Sequence, residues 1–328
     1  MRGFVLKLTF GFLLIFFLFS TANGAEKFTF EFHKEIPVDE HPVLFLSNLC
    51  GKVIIKSHSE DKIKVDALKV VRARNFKNAE KMAQRIEIKT ERDGGEVNIQ
   101  TEYPRSGFGK SFSAWVNYEI WVPPETKLNI KTTSADIEIE DIEEKVRINT
   151  VSGDVRGESI KGVIDLSAVS GDIYLQDIQG DLHLEGTSSD MELEQIRGDI
   201  RIDCTSGDLT LQRIHGNIEA STTSGDMDMD LVQGGLDLNT ISGDVEVKAD
   251  ISTAGEFDIE TTSGEIFLYL PEDSDARLEC ESRSGSIHTQ IPLKVLSTSR
   301  RFLKGDLGSG GRRIYLTTVS GDIKVRGY

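Results

Sequence analysis

The sequence has 328 residues, 38% of them hydrophobic, with 30 glycines, 7 prolines and 3 cysteines, and its formal charge is −16 from 54 Asp and Glu against 38 Lys and Arg. This balance argues against a nucleic-acid partner, because phosphate backbones are bound by Lys and Arg that displace counterions. Three cysteines cannot staple a chain this long, and regularly spaced apolar residues exclude a disordered one.

Arg2 and Lys7 precede an apolar run from Leu8 to Phe19, and small residues Ala22 and Gly24 come after it. That is the pattern of a signal peptide over 1–24, cleaved near Gly24, and it predicts an exported protein, periplasmic, secreted or at the cell surface. Twelve helical residues reach about 18 Å, short of the ~30 Å hydrocarbon core. No transmembrane span is therefore expected in the mature chain; an uncleaved anchor is the alternative. Without residues 1–24 the charge becomes −18, because only Arg2 and Lys7 are lost.

Residues 25–131 read as a β-rich capping region continuous with a solenoid over 132–328. Phe28 to Phe32 alternates as a strand. Leu49-Cys50-Gly51-Lys52-Val53 looks like a degenerate first coil with Cys50 in a serine slot. A helix is expected over 78–85, capping the end of the fold, with strands at 96–101 and 116–122. Ser-Gly-Phe-Gly-Lys-Ser at 106–111 resembles a phosphate loop superficially, but Pro104 stands where that motif needs glycine.

Residues 132–328 are a repeat. Ser-Gly-Asp or a near variant begins at Ser134, Ser152, Ser170, Ser188, Ser206, Ser224 and Ser242, six consecutive intervals of 18 residues, and returns at Ser263, Ser284 and Ser320. A second glycine lies nine residues after the first, as in Gly171 with Gly180. Each half-unit alternates apolar and polar: Ile173 and Leu175 flank Tyr174, and Leu182 and Leu184 flank His183. Strands this short cannot bury a core alone, but stacked coil on coil they can. The predicted fold is all-β, a single-chain parallel β-helix (β-solenoid) with ~18-residue coils and one short helix in its N-terminal third.

A column of small residues stands two before each motif serine, from Thr132, Thr150 and Ala168 to Cys204 and Thr318. It marks an inward corner position. The glycine next to the serine is expected to supply a positive φ, and the aspartate to cap the turn. Ser-Ala-Asp at Ser134 and Ser-Ser-Asp at Ser188 lack that glycine, so these two turns are less defined by sequence. Segment 291–311, with Arg300, Arg301 and Lys304, reads as a loop leaving the last turns.

The repeated Thr-x-Ser-Gly-Asp-Ile pattern, the Asn48-Leu49-Cys50-Gly51 turn, Tyr118-Glu119-Ile120-Trp121-Val122-Pro123, Leu268-Tyr269-Leu270-Pro271 and Thr318-Val319-Ser320-Gly321-Asp322-Ile323 resemble the bacterial putative-adhesin β-helix family, a domain-of-unknown-function group. The resemblance spans about 28–328. It implies an extracytoplasmic β-helix, often linked to the cell envelope, with no catalytic residues to carry over.

The sharpest candidate site is the acidic turn column Asp154, Asp172, Asp190, Asp208, Asp226 and Asp244, with Asp136 at its start. Coils stack about 4.8 Å apart, where two carboxylates repel by about 0.9 kcal/mol in water-like surroundings and ~3.5 kcal/mol at an effective dielectric of 20. The column therefore either binds Ca²⁺ or a basic ligand, or caps turns along a solvated edge. The nine-residue glycine and aspartate spacing of calcium rolls is missing, so neither a metal site nor a cofactor is assigned. A polysaccharide-active enzyme using carboxylates on adjacent coils is a further alternative, yet one aspartate per coil is a period and singles out no pair. The expected function is non-enzymatic: a binding or scaffold protein whose faces, carrying Tyr174, His183, Thr210 and Asp228, meet an envelope protein or glycan. Arg300, Arg301, Lys304, Arg312 and Arg313 are candidates to touch an anionic envelope lipid or polymer, or else belong to a solvated loop. Cys204 and Cys280, four coils apart in sequence order, are too distant for a disulfide, while pairing of Cys50 with either stays open.

Overall fold

The computed structural model describes residues 26–104, 113–251 and 255–328; the expected signal peptide and the 106–111 segment lie outside them. Each 18-residue coil contributes two strands. In the Ser170 coil these are Ile173–Gln179, after the Ser-Gly-Asp corner, and Leu182–Ser188, after the second glycine. Both pair in parallel with residues 18 positions on: Ile173 with Met191, Leu182 with Ile200. The first kind of strand builds one sheet, here sheet A, and the second builds sheet B. Between them Ile173, Leu175, Ile178, Leu182 and Leu184 are all buried. Burying each such side chain is worth about 1.5–3 kcal/mol, but only neighbouring coils exclude water from it.

Alternation alone does not explain sheet A. Leu175 and Ile178 are three residues apart and both point inward, which a regular strand forbids. The chain solves this with a left-handed residue between them. Asp141, Ser159, Asp177, Gln195, Arg213 and Leu231 all have φ between 51° and 59°, one per coil at intervals of 18. Asp177 drops out of the ladder, so that Gln176 pairs with Glu194 and Ile178 with Ile196.

The corner glycines also differ from expectation. Gly171 does have the expected left-handed φ of +112°. Gly243 is not among the left-handed residues; what excludes a side chain there is the Gly225 carbonyl of the coil beneath, into which a Cβ would project. Close coil-to-coil approach is the constant requirement, and positive φ accompanies it in only some coils. The turns at Ser134 and Ser188 keep their register, with Ala135 and Ser189 buried. At the second, Gly186 replaces the usual corner threonine, and a Cβ on it would sit 2.7 Å from the Met191 Cε and 3.1 Å from the Cys204 Sγ.

The capping region joins the stack in register. Strand Val43–Ser57 pairs with Lys127–Glu140 from Val43–Lys127 to Lys56–Glu140, with Cys50 opposite Ser134. Beyond it, sheet A adds Ser113–Val122 in parallel and then Lys62–Ala73 and Glu26–Pro37 antiparallel, while sheet B adds Glu96–Glu102 in parallel and ends in antiparallel Glu87–Asp93. The helix is Phe76–Ala83, two residues earlier than expected. Asn75 is its N-cap, its side chain accepting the Asn78 N–H at 3.0 Å. Phe76 packs on Phe28 and Phe30, and the Lys69 ammonium donates to the Ile86 carbonyl just beyond the helix at 2.6 Å.

At the opposite end the stacking leaves sequence order. Ser263 pairs with Ser320, and Ser282 pairs with Thr318. Strands Arg312–Ser320 and Ile323–Gly327 therefore lie between the Ser263 coil and the Ser284 coil. Segment 291–311 is not a loop. It folds as a hairpin, Lys294–Ser299 with Phe302–Leu307, which extends sheet B antiparallel to Ala276–Ser282. Sheet A stops at Ile287–Gln290, so the hairpin overhangs it.

Candidate functional site

The acidic column stands where the period places it, along the corner leading into sheet A, and six of its seven carboxylates, all but Asp172, accept a backbone N–H of the next coil. Asp136 accepts the Asp154 N–H at 3.2 Å, Asp154 that of Asp172 at 3.1 Å, and Asp190 that of Asp208 at 3.0 Å. Asp208 accepts from Asp226 at 2.9 Å, Asp226 from Asp244 at 2.8 Å, and Asp244 from Glu265 at 2.7 Å. In each case the acceptor is Oδ1. Each N–H offsets part of the repulsion between neighbouring carboxylates, as at a helix N-cap. Among the described residues, no group of three or more His, Cys, Asp or Glu side chains is arranged to hold a metal ion.

A second ladder, missed by a search on the Ser-Gly-Asp motif, runs along the opposite corner. Asp181 accepts the Asp199 N–H at 3.0 Å, Asp199 that of Asn217 at 2.8 Å, and Asn217 that of Gly235 at 2.9 Å. Its signal is present in the sequence as Gly180-Asp181, Gly198-Asp199 and Gly216-Asn217, again at intervals of 18.

The small inward column does more than fit. Thr150 donates to the Ser152 carbonyl at 3.1 Å, Thr222 to Ser224 at 3.2 Å, and Ser282 to Gly321 at 2.9 Å. A hydroxyl at this position can thus satisfy a corner carbonyl as well as fit, although that of Thr240 is buried without a partner.

Sheet B carries the surface depressions. One of about 550 Å³ is lined by His183, Arg201, Glu219 and Asp237, beside the second ladder. Another runs past Ser221, Thr223, Asn239, Ile241 and Thr262, and a third lies at the capping end beside Gln100, Tyr103 and Lys131. In the first, Arg201 bridges to Glu219 at 2.7 Å. Close by, burial and then the Asp237 and Glu256 carboxylates raise the pKa of Asp258 above its ordinary value. Of the predicted face residues, His183 belongs to sheet B, whereas Tyr174, Thr210 and Asp228 point outward on sheet A.

The basic residues of the last segment do not act as one patch. Lys304 pairs with Glu279 at 2.7 Å and Arg313 with Glu256 at 2.6 Å. Arg312 donates to the Ile251 carbonyl at 2.5 Å. The three cysteines are free. Because of the inserted coil, Cys204 and Cys280 are five steps apart instead of four, about 24 Å at 4.8 Å per step. Burial raises the pKa of all three thiols, and no nucleophile is made of them.

Two matches to one family model cover residues 50–249 and 221–326, nearly the entire stack, and the model is that of Toastrack DUF4097. The chain belongs to the Toastrack DUF4097 family. Its two overlapping matches arise from the repeat, since one set of coils superposes on the next. No curated protein matches. Among solved structures, this Toastrack chain is similar to a putative cell adhesion protein from Clostridium sporogenes ATCC 15579, at 14% identity and a TM-score of 0.24, covering 91% of this chain and 99% of that one. It is also similar to putative adhesins from Bacteroides fragilis NCTC 9343 (11% identity, TM-score 0.26) and Parabacteroides distasonis ATCC 8503 (10%, TM-score 0.30), each covering 91% of this chain and 97% of the other. Membership rests on the family match and the repeat, not on these low-scoring likenesses.

Proposed function

We propose that this Toastrack protein is an exported, non-catalytic binding solenoid that lays an extended glycan or envelope protein along sheet B. The observation that carries the reading is the set of depressions on that sheet, one near the capping end beside Lys131 and two on the middle coils, one lined by charged side chains such as Arg201 and Glu219 and the other by hydroxyls such as Ser221, Thr223 and Thr262. A surface with a repeat of about 4.8 Å suits a long polymer better than a compact ligand, which binds in an enclosed cavity. Export is supported by the charged, apolar and small-residue order of residues 1–24. Among the described residues no helix is long and apolar enough to cross a membrane.

One observation favours a catalytic reading as the second choice. Asp258 faces Asp237 across adjacent coils, and burial together with the neighbouring carboxylates raises its pKa, the direction a general acid requires. One experiment separates the two. Immobilised polysaccharides and envelope extracts are tested for retention of the purified protein and for release of soluble sugar. The binding reading expects retention, reduced about tenfold by Arg201→Ala with Thr223→Ala, unaffected by Tyr174→Ala on sheet A, and without sugar release. Sugar release abolished by Asp258→Asn would establish the enzyme instead, and no retention of any polymer or extract component would remove both.

A further inference from the structure

The two ends of the stack are finished differently. At the capping end, the outermost strand of sheet B, Glu87–Asp93, is densely charged, and that of sheet A, Glu26–Pro37, carries Lys34, whose ammonium turns onto Thr90 of the facing sheet. Charges on and inside edge strands, together with a covering helix, are how sheets refuse further strands. Among the described residues no helix covers the opposite end. Its outermost sheet B strand, Lys294–Ser299, is exposed at every position, with Val295 at 53% and Leu296 at 47%. Val295 lies opposite buried Gly305 and so on the core side of the sheet, yet it is open because sheet A ends beneath it. Only one ladder of its backbone is used, against Phe302–Leu307.

The charge at this edge is also out of keeping with the molecule. Segment 291–313 has six basic residues and one acid, while 134–250 has 8 basic and 27 acidic. Lys304, Arg312 and Arg313 are engaged, and Asp306 is held by Arg277 at 2.9 Å. Lys294, on the edge strand, and Arg300 and Arg301, at the hairpin turn, have no side-chain partner among the described residues. An open ladder, two exposed aliphatic side chains and three free cations coincide on six to eight residues.

We propose that the Lys294–Ser299 edge accepts an added β-strand from an extended polypeptide that alternates acidic and aliphatic side chains. The backbone ladder would supply the affinity and the alternate side chains the selectivity. The aliphatic side would cover Val295, and the acidic side would meet Lys294 and the Arg300-Arg301 turn. A second copy of this chain docking edge to edge is disfavoured because it would bring the same three cations together. This surface is separate from the sheet B depressions, so either proposal can fail alone.

The probe is a fluorescein-labelled heptapeptide alternating glutamate and valine, with a lysine–valine peptide of equal length as control. Fluorescence anisotropy measures binding to the full protein, and amide hydrogen exchange locates it. Expected results are binding of the glutamate peptide alone, weakened tenfold or more from 50 to 300 mM NaCl, with exchange slowed within 294–299. The variant Lys294→Glu with Arg300→Glu and Arg301→Glu should lose that binding at least tenfold while its melting temperature, dominated by the coils, stays within a few degrees. The proposal is overturned if neither peptide binds, if both bind equally, or if protection falls elsewhere. Sedimentation showing a dimer with 294–299 protected in the absence of peptide would assign the edge to a second copy. Retention on phosphatidylserine vesicles without peptide binding would assign it to a membrane surface.

Discussion

Leu231 stands at φ +57° with a side chain 46% exposed, last in a column of left-handed residues that includes no glycine and no asparagine. For a residue with a Cβ this conformation costs roughly 1–2 kcal/mol, and the column accepts it six times because Ile178 and its equivalents gain more by burial. Leu231→Gly should therefore raise stability by about 0.5–1 kcal/mol, the relief being partly offset by the freer unfolded chain. Leu231→Ala keeps the strain and should gain nothing; urea midpoints of the two variants check the difference. This column is illegible in the sequence because Asp, Ser, Asp, Gln, Arg and Leu share no chemistry. What marks it is spacing: apolar residues at Leu175 and Ile178 break the alternation and require an irregular residue between them. The aspartate ladders lie at the other extreme. Their side chains act on backbone in most coils, so the period exposes them, although only one of the two carries the serine that makes its motif conspicuous.

At the scale of elements, periodicity determines what each coil is and leaves open which coils touch. The 36-residue interval before Ser320 reads as an insertion, yet that coil sits under the Ser284 coil. Neither spacing nor hydrophobic pattern encodes the order, because Phe257, Ile314 and Leu278 present equivalent surfaces and any of them can stack on another. The decisive contacts are backbone ones, from the Gly264 N–H to Ser320 at 3.2 Å and from the Ile323 N–H to Ser286 at 3.0 Å. This arrangement makes a prediction that sequence order would not. A methyl group at Gly321 would press on the Gly264 carbonyl, so Gly321→Ala should loosen its own coil and everything stacked beyond it. Amide exchange is expected to rise in 312–327 and also in 276–307, which precede the substitution in the chain, and to stay unchanged in 134–250. Retained protection of 276–290 would mean that the Ser284 coil stacks directly on the Ser263 coil.

For the whole molecule the charge of −16 is a sum of unlike regions, since 134–250 alone carries −19 and its acids recur with every coil. Stacking holds like charges about 4.8 Å apart, well within the ~10 Å screening length at 0.1 M salt. In the Ser-Gly-Asp column the ladder N–H groups compensate one oxygen of every carboxylate except that of Asp172. Residual repulsion along the stack should therefore act as a diffuse load on the folded state, one that any electrolyte relieves. Raising NaCl from 10 mM to 0.5 M is expected to increase the melting temperature by several degrees without saturating sharply. CaCl₂ at equal ionic strength should have nearly the same effect, and EDTA none, because the ladder oxygens that could converge on a cation already accept backbone hydrogen bonds. A saturable rise at sub-millimolar Ca²⁺, absent in an Asp208→Asn, Asp226→Asn variant, would instead show that the ladder is a cation site and that its second oxygens turn inward to make it.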